Sequence, residues 1–326
     1  MTEKTYRMHN TSVENRTHEN PKAFWSLVSS KRNDTSNPSS FMCSNEESTE
    51  PQHIVDAFAN HFTSVYGDYS HFYDDINCQH QTITVKNITI ADVEKAIKCI
   101  KPKRAVGHDG IPQYIYKACS EFLLFPLTYV FNFIIQNSQS PHDWTVSAVT
   151  LIPKITNTNN IADYRPIANI PIPNKILEKV THMKTYPHVH KAITDCQHGI
   201  VRTRTVETNL MELTHYIAET IDKKPQTQID LIYTDLQKAI DEVNHEILLQ
   251  KLFKIGFSIS MVALFGDCHL RQSRQYVIYN GVQSHTYKFT SGVPQGGILA
   301  PLFFLIYIND ILEVISTRFL CYLQMT

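Results

Sequence analysis

Between Thr290 and Pro301 the chain reads TSGVPQGGILAP, and this stretch limits the possible folds more than any other. Gly292, Pro294, Gly296 and Gly297 lie so close together that neither a helix nor a strand can run through them. The segment is expected to be a turn, and the apolar run after it, ILAPLFFLIYI, to be buried. That run stops at Asn309 and Asp310, short of the roughly 18 apolar residues a membrane span needs. The glycines admit two readings. They are punctuation before a core helix, or bare backbone against which a ligand can lie.

The 326 residues are 42% hydrophobic, enough for a substantial core. Formal net charge is −1, so no global basic field points to nucleic acid, although a groove needs only local charge. The cysteines at 43, 78, 99, 119, 196, 268 and 321 show no metal-site spacing and read as reduced core residues. The sequence HVH at 188–190 reads as a surface pair. The N-terminus has no apolar core, so no signal peptide is expected and the chain reads as intracellular, nuclear or cytoplasmic.

Residues 1–85 read as a polar lead-in with short helices, one at KAFWSLV and one carrying Ile54, Phe58, Phe62 and Val65 at helical spacing. From residue 86 on, the pattern is that of a folded domain. Thr89 and Asp92 make a capping-box pattern for a helix with Ile90, Val93, Ile97 and Ile100 along one stripe. Helices are expected at 113–135, in ETNLMELTHYIAETI, and in DEVNHEILLQKLFKI with Gly256 closing it. SAVTLIPKI and TQIDLIYTDL alternate as strands do, whereas IADYRPIANIPIPNKILEKV reads as a loop entering a helix. Asn280-Gly281 marks a hairpin turn. The sum is an α+β fold with a mostly antiparallel sheet.

Several polar residues could carry chemistry. Asp235 ends an apolar strand, where it caps the next helix or holds a divalent metal, since hard cations choose carboxylate oxygens. Asp241 is better placed for the capping role. Lys154 and Arg165 flank a polar segment and could clamp a triphosphate, or could be ordinary exposed cations. The KPKR run, with Lys101, Lys103 and Arg104, is a solvated helix end or a contact to a phosphate backbone.

The order of these elements carries more than any one of them. KPKRAVGHDGIP, LIPK, DYRPIANIPIPNKILEKV, QHGIVRTRTVETNL, YTDLQKAIDEVNHEILLQKL and SGVPQGGILAPLFFLIYINDI follow one another as in non-LTR retrotransposons. The chain thus resembles the reverse transcriptases of the LINE class, jockey-like elements in particular, over roughly 85–322. The resemblance implies a right-hand polymerase fold: fingers plus an incomplete palm, antiparallel sheet with helices, and no thumb. It implies copying of an RNA template from a DNA primer with dNTP substrates, and two Mg²⁺ ions held by carboxylates. Asp235 then matches the first catalytic, metal-binding aspartate. Lys154 and Arg165 match the finger residues on the incoming triphosphate. Gly292, Pro294, Gln295 and Gly296 match the loop against the nascent base pair. Lys101, Lys103, Arg104 and Arg204 are expected on nucleic acid.

The sequence also departs from the family pattern. Ile240 stands where an aromatic residue normally excludes a ribose 2′-hydroxyl. Ile200, Val201 and Thr203 stand for Phe, Arg and Gly, and Val106 and His108 for prolines. The Ala-Asp-Asp hairpin that supplies the other carboxylates is replaced by RFLCYLQMT, so a truncated and inactive polymerase domain is expected. Leu323-Gln324-Met325-Thr326 is what Ala-Asp-Asp-Met codons give in a shifted frame, and the genomic DNA is expected to read GCAGATGACATGA. A non-catalytic nucleic-acid-binding remnant, or a functionless relic, is the alternative.

Overall fold

The computed structural model describes residues 38, 40–43, 46–67, 83–103, 106–156, 158–223, 228–232, 238–271 and 273–311. The KAFWSLV segment, Arg104 and Asp235 lie outside them. A short hairpin, β1 (Phe41–Cys43) and β2 (Glu46–Ser48), precedes α1 (Pro51–Val65), which has proline in its first turn. Next come α2 (Ile90–Cys99), α3 (Gln113–Ala118), α4 (Ser120–Asn137) and the single turn α5 (His142–Thr145). β3 (Val146–Pro153) and β4 (Tyr164–Asn169) pair antiparallel and lead into α6 (Ile172–Val189) and α7 (Val206–Lys223). After α8 (His245–Ile255) and α9 (Ile259–Leu264), a π-helical turn, Phe265–Arg271, leads to β5 (Arg274–Tyr279), β6 (Val282–Gln283) and β7 (Tyr287–Lys288). The apolar run becomes α10 (Ala300–Ile308).

Local signals account for many of these boundaries. Thr89 and Asp92 form the reciprocal capping box at the start of α2, although Ile90 of its expected stripe is exposed. Gly256 ends α8 in the left-handed conformation. Asn280 and Gly281 both take positive φ, 49° and 78°, in the tight turn joining Tyr279 to Val282. In α10, Leu302 to Ile306 are all buried, as expected of a central helix.

The five-stranded sheet runs β4-β3-β5-β6, with β7 also on β5. It is antiparallel apart from the β3–β5 pair, which is parallel. Two assignments from sequence need correcting. Residues 164–169 were expected in a loop, yet they form β4 even with Pro166 among them. It is the edge strand, where a proline costs no ladder hydrogen bond. Residues 228–232 alternate like a strand but form none. No described strand lies beside them, and Ile232 is 87% exposed. The cysteine reading is also corrected in part, for Cys43 and Cys268 are buried but Cys99 and Cys119 are exposed.

α1 covers one face of the sheet. Phe58 is fully buried in a cluster with Phe41, Ile54, Phe62, Val149, Tyr164 and Val277, and its ring meets those of Phe41 and Tyr164 at 5.3 Å. Phe41, Cys43 and the apolar face of α1, all within the expected lead-in, therefore share a core with β3–β5. The main core lies on the helical side, where α2, α4, α6, α8, α9 and α10 meet around Phe131, Ile176, Leu252, Phe265 and Phe303.

Thr203 and Ile200 adopt left-handed backbone, φ 72° and 61°, which is rare for β-branched residues. Thr203 occupies a position expected to be glycine, and the structure gives the reason for that glycine. Thr203→Gly removes the steric cost, while returning some freedom to the unfolded chain. The net expectation is a gain of about 0.5–1 kcal/mol, read as a higher urea midpoint at unchanged slope.

Candidate active site

The turn at 291–299 is stitched to three separate parts of the chain. First, Gly292 N donates to Val243 O at 2.7 Å, Val293 N to Ile240 O at 3.0 Å, and Ser291 Oγ to Asp241 O at 2.8 Å. Second, Ala168 N of β4 donates to Gln295 O at 2.7 Å, so the turn extends the sheet edge. Third, Glu178 of α6 accepts from Ile298 N and from Leu299 N, satisfying free amides where α10 begins.

Close approach to the chain's own backbone accounts for two of the glycines. Gly292 has φ 84°, and a Cβ there would lie 2.8 Å from Asp241 Cα and from the carbonyl oxygens of Ile240 and Asp241. Gly296 has φ 131°, and its Cβ would lie 2.3 Å from Ala168 O. On their Cβ sides both face the chain's own backbone, with no room for a ligand.

Beside this turn, Gln295 Nε2 donates to Asp241 Oδ1 at 2.7 Å. Asp241 was expected to cap α8, but Asn244 does so, accepting from Glu246 N and Ile247 N. Burial raises the pKa of Asp241; Gln295, Lys154 and Lys238 pull it down, and Glu242 pushes it up again. The same two lysines act on His61 of α1, whose pKa is lowered by burial first and then by Lys238 and Lys154. Two cations therefore lie near enough to act on this half-buried acid.

The β3–β4 register brings the expected cations together. Arg165 pairs with Ile152, and Lys154 directly follows the last residue of β3, its backbone N donating to Asp163 O at 2.7 Å. Both are exposed, with Lys154 Nζ donating to Ala162 O at 2.9 Å. Lys238 holds φ 53° while its carbonyl accepts from Asp241 N and Glu242 N. A non-glycine residue in this conformation stores strain of about 1–3 kcal/mol, a feature that clusters at functional sites.

Sequence reasoning missed Lys238, His61 and the role of Asp241. The sole local signal was two acids and a lysine within DLQKAID; the Gln295 partner is 54 residues away. Ile240 packs in part against the main core. Lys101 and Lys103 are exposed. Arg204 is not free for phosphate. Its guanidinium donates to the carbonyls of Thr194, Asp195 and Gln197 and to Asp195 Oδ1, tying one loop together.

Among the described residues no three His, Cys, Asp or Glu side chains gather as a metal site. With Asp241 turned to Gln295, these residues suit anion binding and positioning. No described helix is long and apolar enough to cross a membrane.

The raised pKa of Asp241 has a testable sign. Such a group contributes stability fully below its unfolded pKa of about 3.9 and loses it as pH rises through the folded value. Asn at 241 keeps an acceptor for Gln295. Asp241→Asn is therefore expected to stabilise at neutral pH, with the gain shrinking toward pH ~4. Urea midpoints at the two pH values check this; lower stability of the variant at neutral pH would contradict it.

Comparison with known proteins agrees with the motif order. Residues 152–325 match the reverse transcriptase (RNA-dependent DNA polymerase) family. The probable RNA-directed DNA polymerase from transposon BS of Drosophila melanogaster is 23% identical over 272 residues, covering 79% of this chain and 29% of that protein. The RNA-directed DNA polymerase from mobile element jockey of Drosophila funebris is 26% identical over 227 residues, 68% of this chain and 24% of that protein. The probable polymerase from transposon X-element of Drosophila melanogaster is 27% identical over 210 residues, 64% and 23%. The chain thus spans about a quarter of the length of these relatives. With more than half of its residues inside the family match, it belongs to the reverse transcriptase family.

Proposed function

We propose that this chain contributes the fingers and part of the palm of a right-hand polymerase from a non-LTR retrotransposon, and that the site described above binds the incoming dNTP. The observation that carries this is the Asp241–Gln295 bond, with Lys154 and Lys238 near enough to act on the acid's charge and Arg165 on the strand paired with the one that leads to Lys154. The two lysines neutralise phosphate charge, and Arg165 offers a planar donor fork. The Asp241–Gln295 bond fixes the turn at 291–297 against the 238–244 segment, so that both sides of the nucleotide pocket move as one. Ile240, beside that pair, contacts the sugar.

In the family reaction a primer 3′-hydroxyl attacks the α-phosphate, the bond to the β-phosphate breaks, and pyrophosphate leaves. Divalent metals serve that step; the residues named here bind and orient the triphosphate and the template pair. RNA template and DNA primer are the partners that follow. A titration with fluorescent N-methylanthraniloyl-dGTP tests the reading. Saturable binding, competed by unlabelled dNTP and by inorganic triphosphate, is expected; a signal that neither competes away would count against it.

A further inference from the structure

α4 is apolar on two sides, and the described residues cover one of them. Inward, Leu127, Phe131, Ile134 and Ile135 are buried in the main core, with the Phe131 ring 6.1 Å from that of Trp144. The helix is also held against turning. Asn132 Oδ1 accepts from Ile88 N at 2.8 Å and its Nδ2 donates to Ile88 O at 2.9 Å, while Ser138 Oγ donates to Ser260 O at 3.3 Å.

Outward, Phe122, Phe125, Tyr129 and Phe133 follow at spacings of three, four and four, so they form one stripe. It is about 17 Å long at 1.5 Å per residue. The four residues are 83%, 72%, 70% and 52% exposed, and Pro126 is exposed among them. At about 200 Å² per aromatic residue, these exposures leave roughly 550 Å² of contiguous aromatic surface in water. That is near the upper end of the largest patch on an ordinary monomer, and patches of this size mark contact sites.

The chemistry of the face selects its occupant. Residues 122–141 contain no Asp, Glu, Lys or Arg. The nearest cation before the stripe, Lys117, is turned to the carbonyls of Lys98 and Ile100. A partner recognised by charge finds nothing to pair with here, and an anionic lipid surface lacks the flanking cations that hold interfacial helices. A second uncharged aromatic stripe loses nothing on contact, and such residues make up the cores of protein interfaces. Two copies of this stripe bury about 1,100 Å², just above the ~1,000 Å² a specific interface needs. We propose that the outward face of α4 is the contact surface of a symmetric, antiparallel homodimer of this chain. In that arrangement the stripe is its own complement. Phe122 lies against Phe133 of the second copy and Pro126 against its Tyr129, so the two-fold axis passes near residues 127 and 128. None of the residues assigned to the nucleotide pocket is on α4, and the dimer does not depend on that reading.

Sedimentation velocity of the full chain tests this. So small an interface makes a weak dimer, and a reversible passage from monomer to dimer is expected as protein rises from about 1 to about 200 µM. Phe125→Glu places a charge in the middle of the seam and should weaken the dimer by about 100-fold or more. Tyr129→Lys should do the same. Both side chains are exposed in the monomer, so the melting point should hardly move in either variant. Mixing the two variants should restore dimer, because the introduced charges then meet across the axis. Met211→Glu, at an exposed apolar residue of α7, is the control and should leave dimerisation intact.

A chain that stays monomeric throughout that range overturns the proposal without any variant. So does a species that grows past the dimer, or an equal loss from Met211→Glu, since either means general stickiness. Failure of the mixed variants to associate rejects the antiparallel seam. Binding of the monomer to phosphatidylcholine vesicles, abolished by Phe125→Glu, would assign the face to lipid instead.

Discussion

Gly296→Ala is expected to destabilise the chain by about 3–5 kcal/mol, a lowering of the melting point by about 6 °C or more. The added Cβ would sit 2.3 Å from Ala168 O, inside any acceptable contact, and that oxygen belongs to backbone in a paired strand. Neither side can yield by rotating a side chain. The φ of 131° adds a conformational cost of its own. Relief requires residues 295–297 to leave β4, breaking the Ala168 N–Gln295 O bond and pulling Gln295 from Asp241. Nucleotide binding should fall along with stability. Gly110→Ala is the internal control. Gly110 also has positive φ, 67°, but nothing lies within 4 Å of its Cβ, so only about 1 kcal/mol is expected. If the two variants melt together, the close approach at Ala168 is not what fixes glycine at 296.

The second large effect concerns affinity. In the proposed pocket, replacing Lys154 and Arg165 together by alanine takes away two charge-assisted contacts to the triphosphate, each worth about 1.5–3 kcal/mol. A loss of about 100-fold or more in dNTP affinity follows. Both side chains are exposed at the end of a hairpin, so the melting point should hardly move. Loss of binding with unchanged stability separates a ligand role from a structural one. Unchanged binding would return both residues to ordinary surface cations.

The parts of this fold that sequence made legible are those decided within a few residues. The Thr89–Asp92 box, Gly256 after α8 and Asn280-Gly281 each need only their neighbours, and each occurs as expected. What failed depended on distant partners. Residues 164–169 read as a loop because nothing local reveals that this Pro166-containing segment sits at a sheet edge. Residues 228–232 have strand alternation, but alternation without a described partner gives no ladder. The candidate site divides the same way. Lys154, Arg165 and the glycine turn were visible as residue types in order. The reason for Gly292 and Gly296 lay in Ile240, Asp241 and Ala168, far off in sequence. Asp241 was misassigned because two residues, Asp241 and Asn244, were each eligible to cap α8. Only the fold shows that Asn244 takes that place and leaves Asp241 to Gln295.

The central claim is that the β3–β4 hairpin, the 238–241 turn and the Gln295 turn form one nucleotide pocket. Lysine labelling with pyridoxal 5′-phosphate and borohydride, read by peptide mass spectrometry with and without dNTP, addresses it directly. Lys154 and Lys238 should both lose labelling as dNTP rises, with the same midpoint, while Lys95 and Lys98 on α2 stay labelled. Protection of neither lysine, of one alone, or of all four equally would contradict a shared pocket.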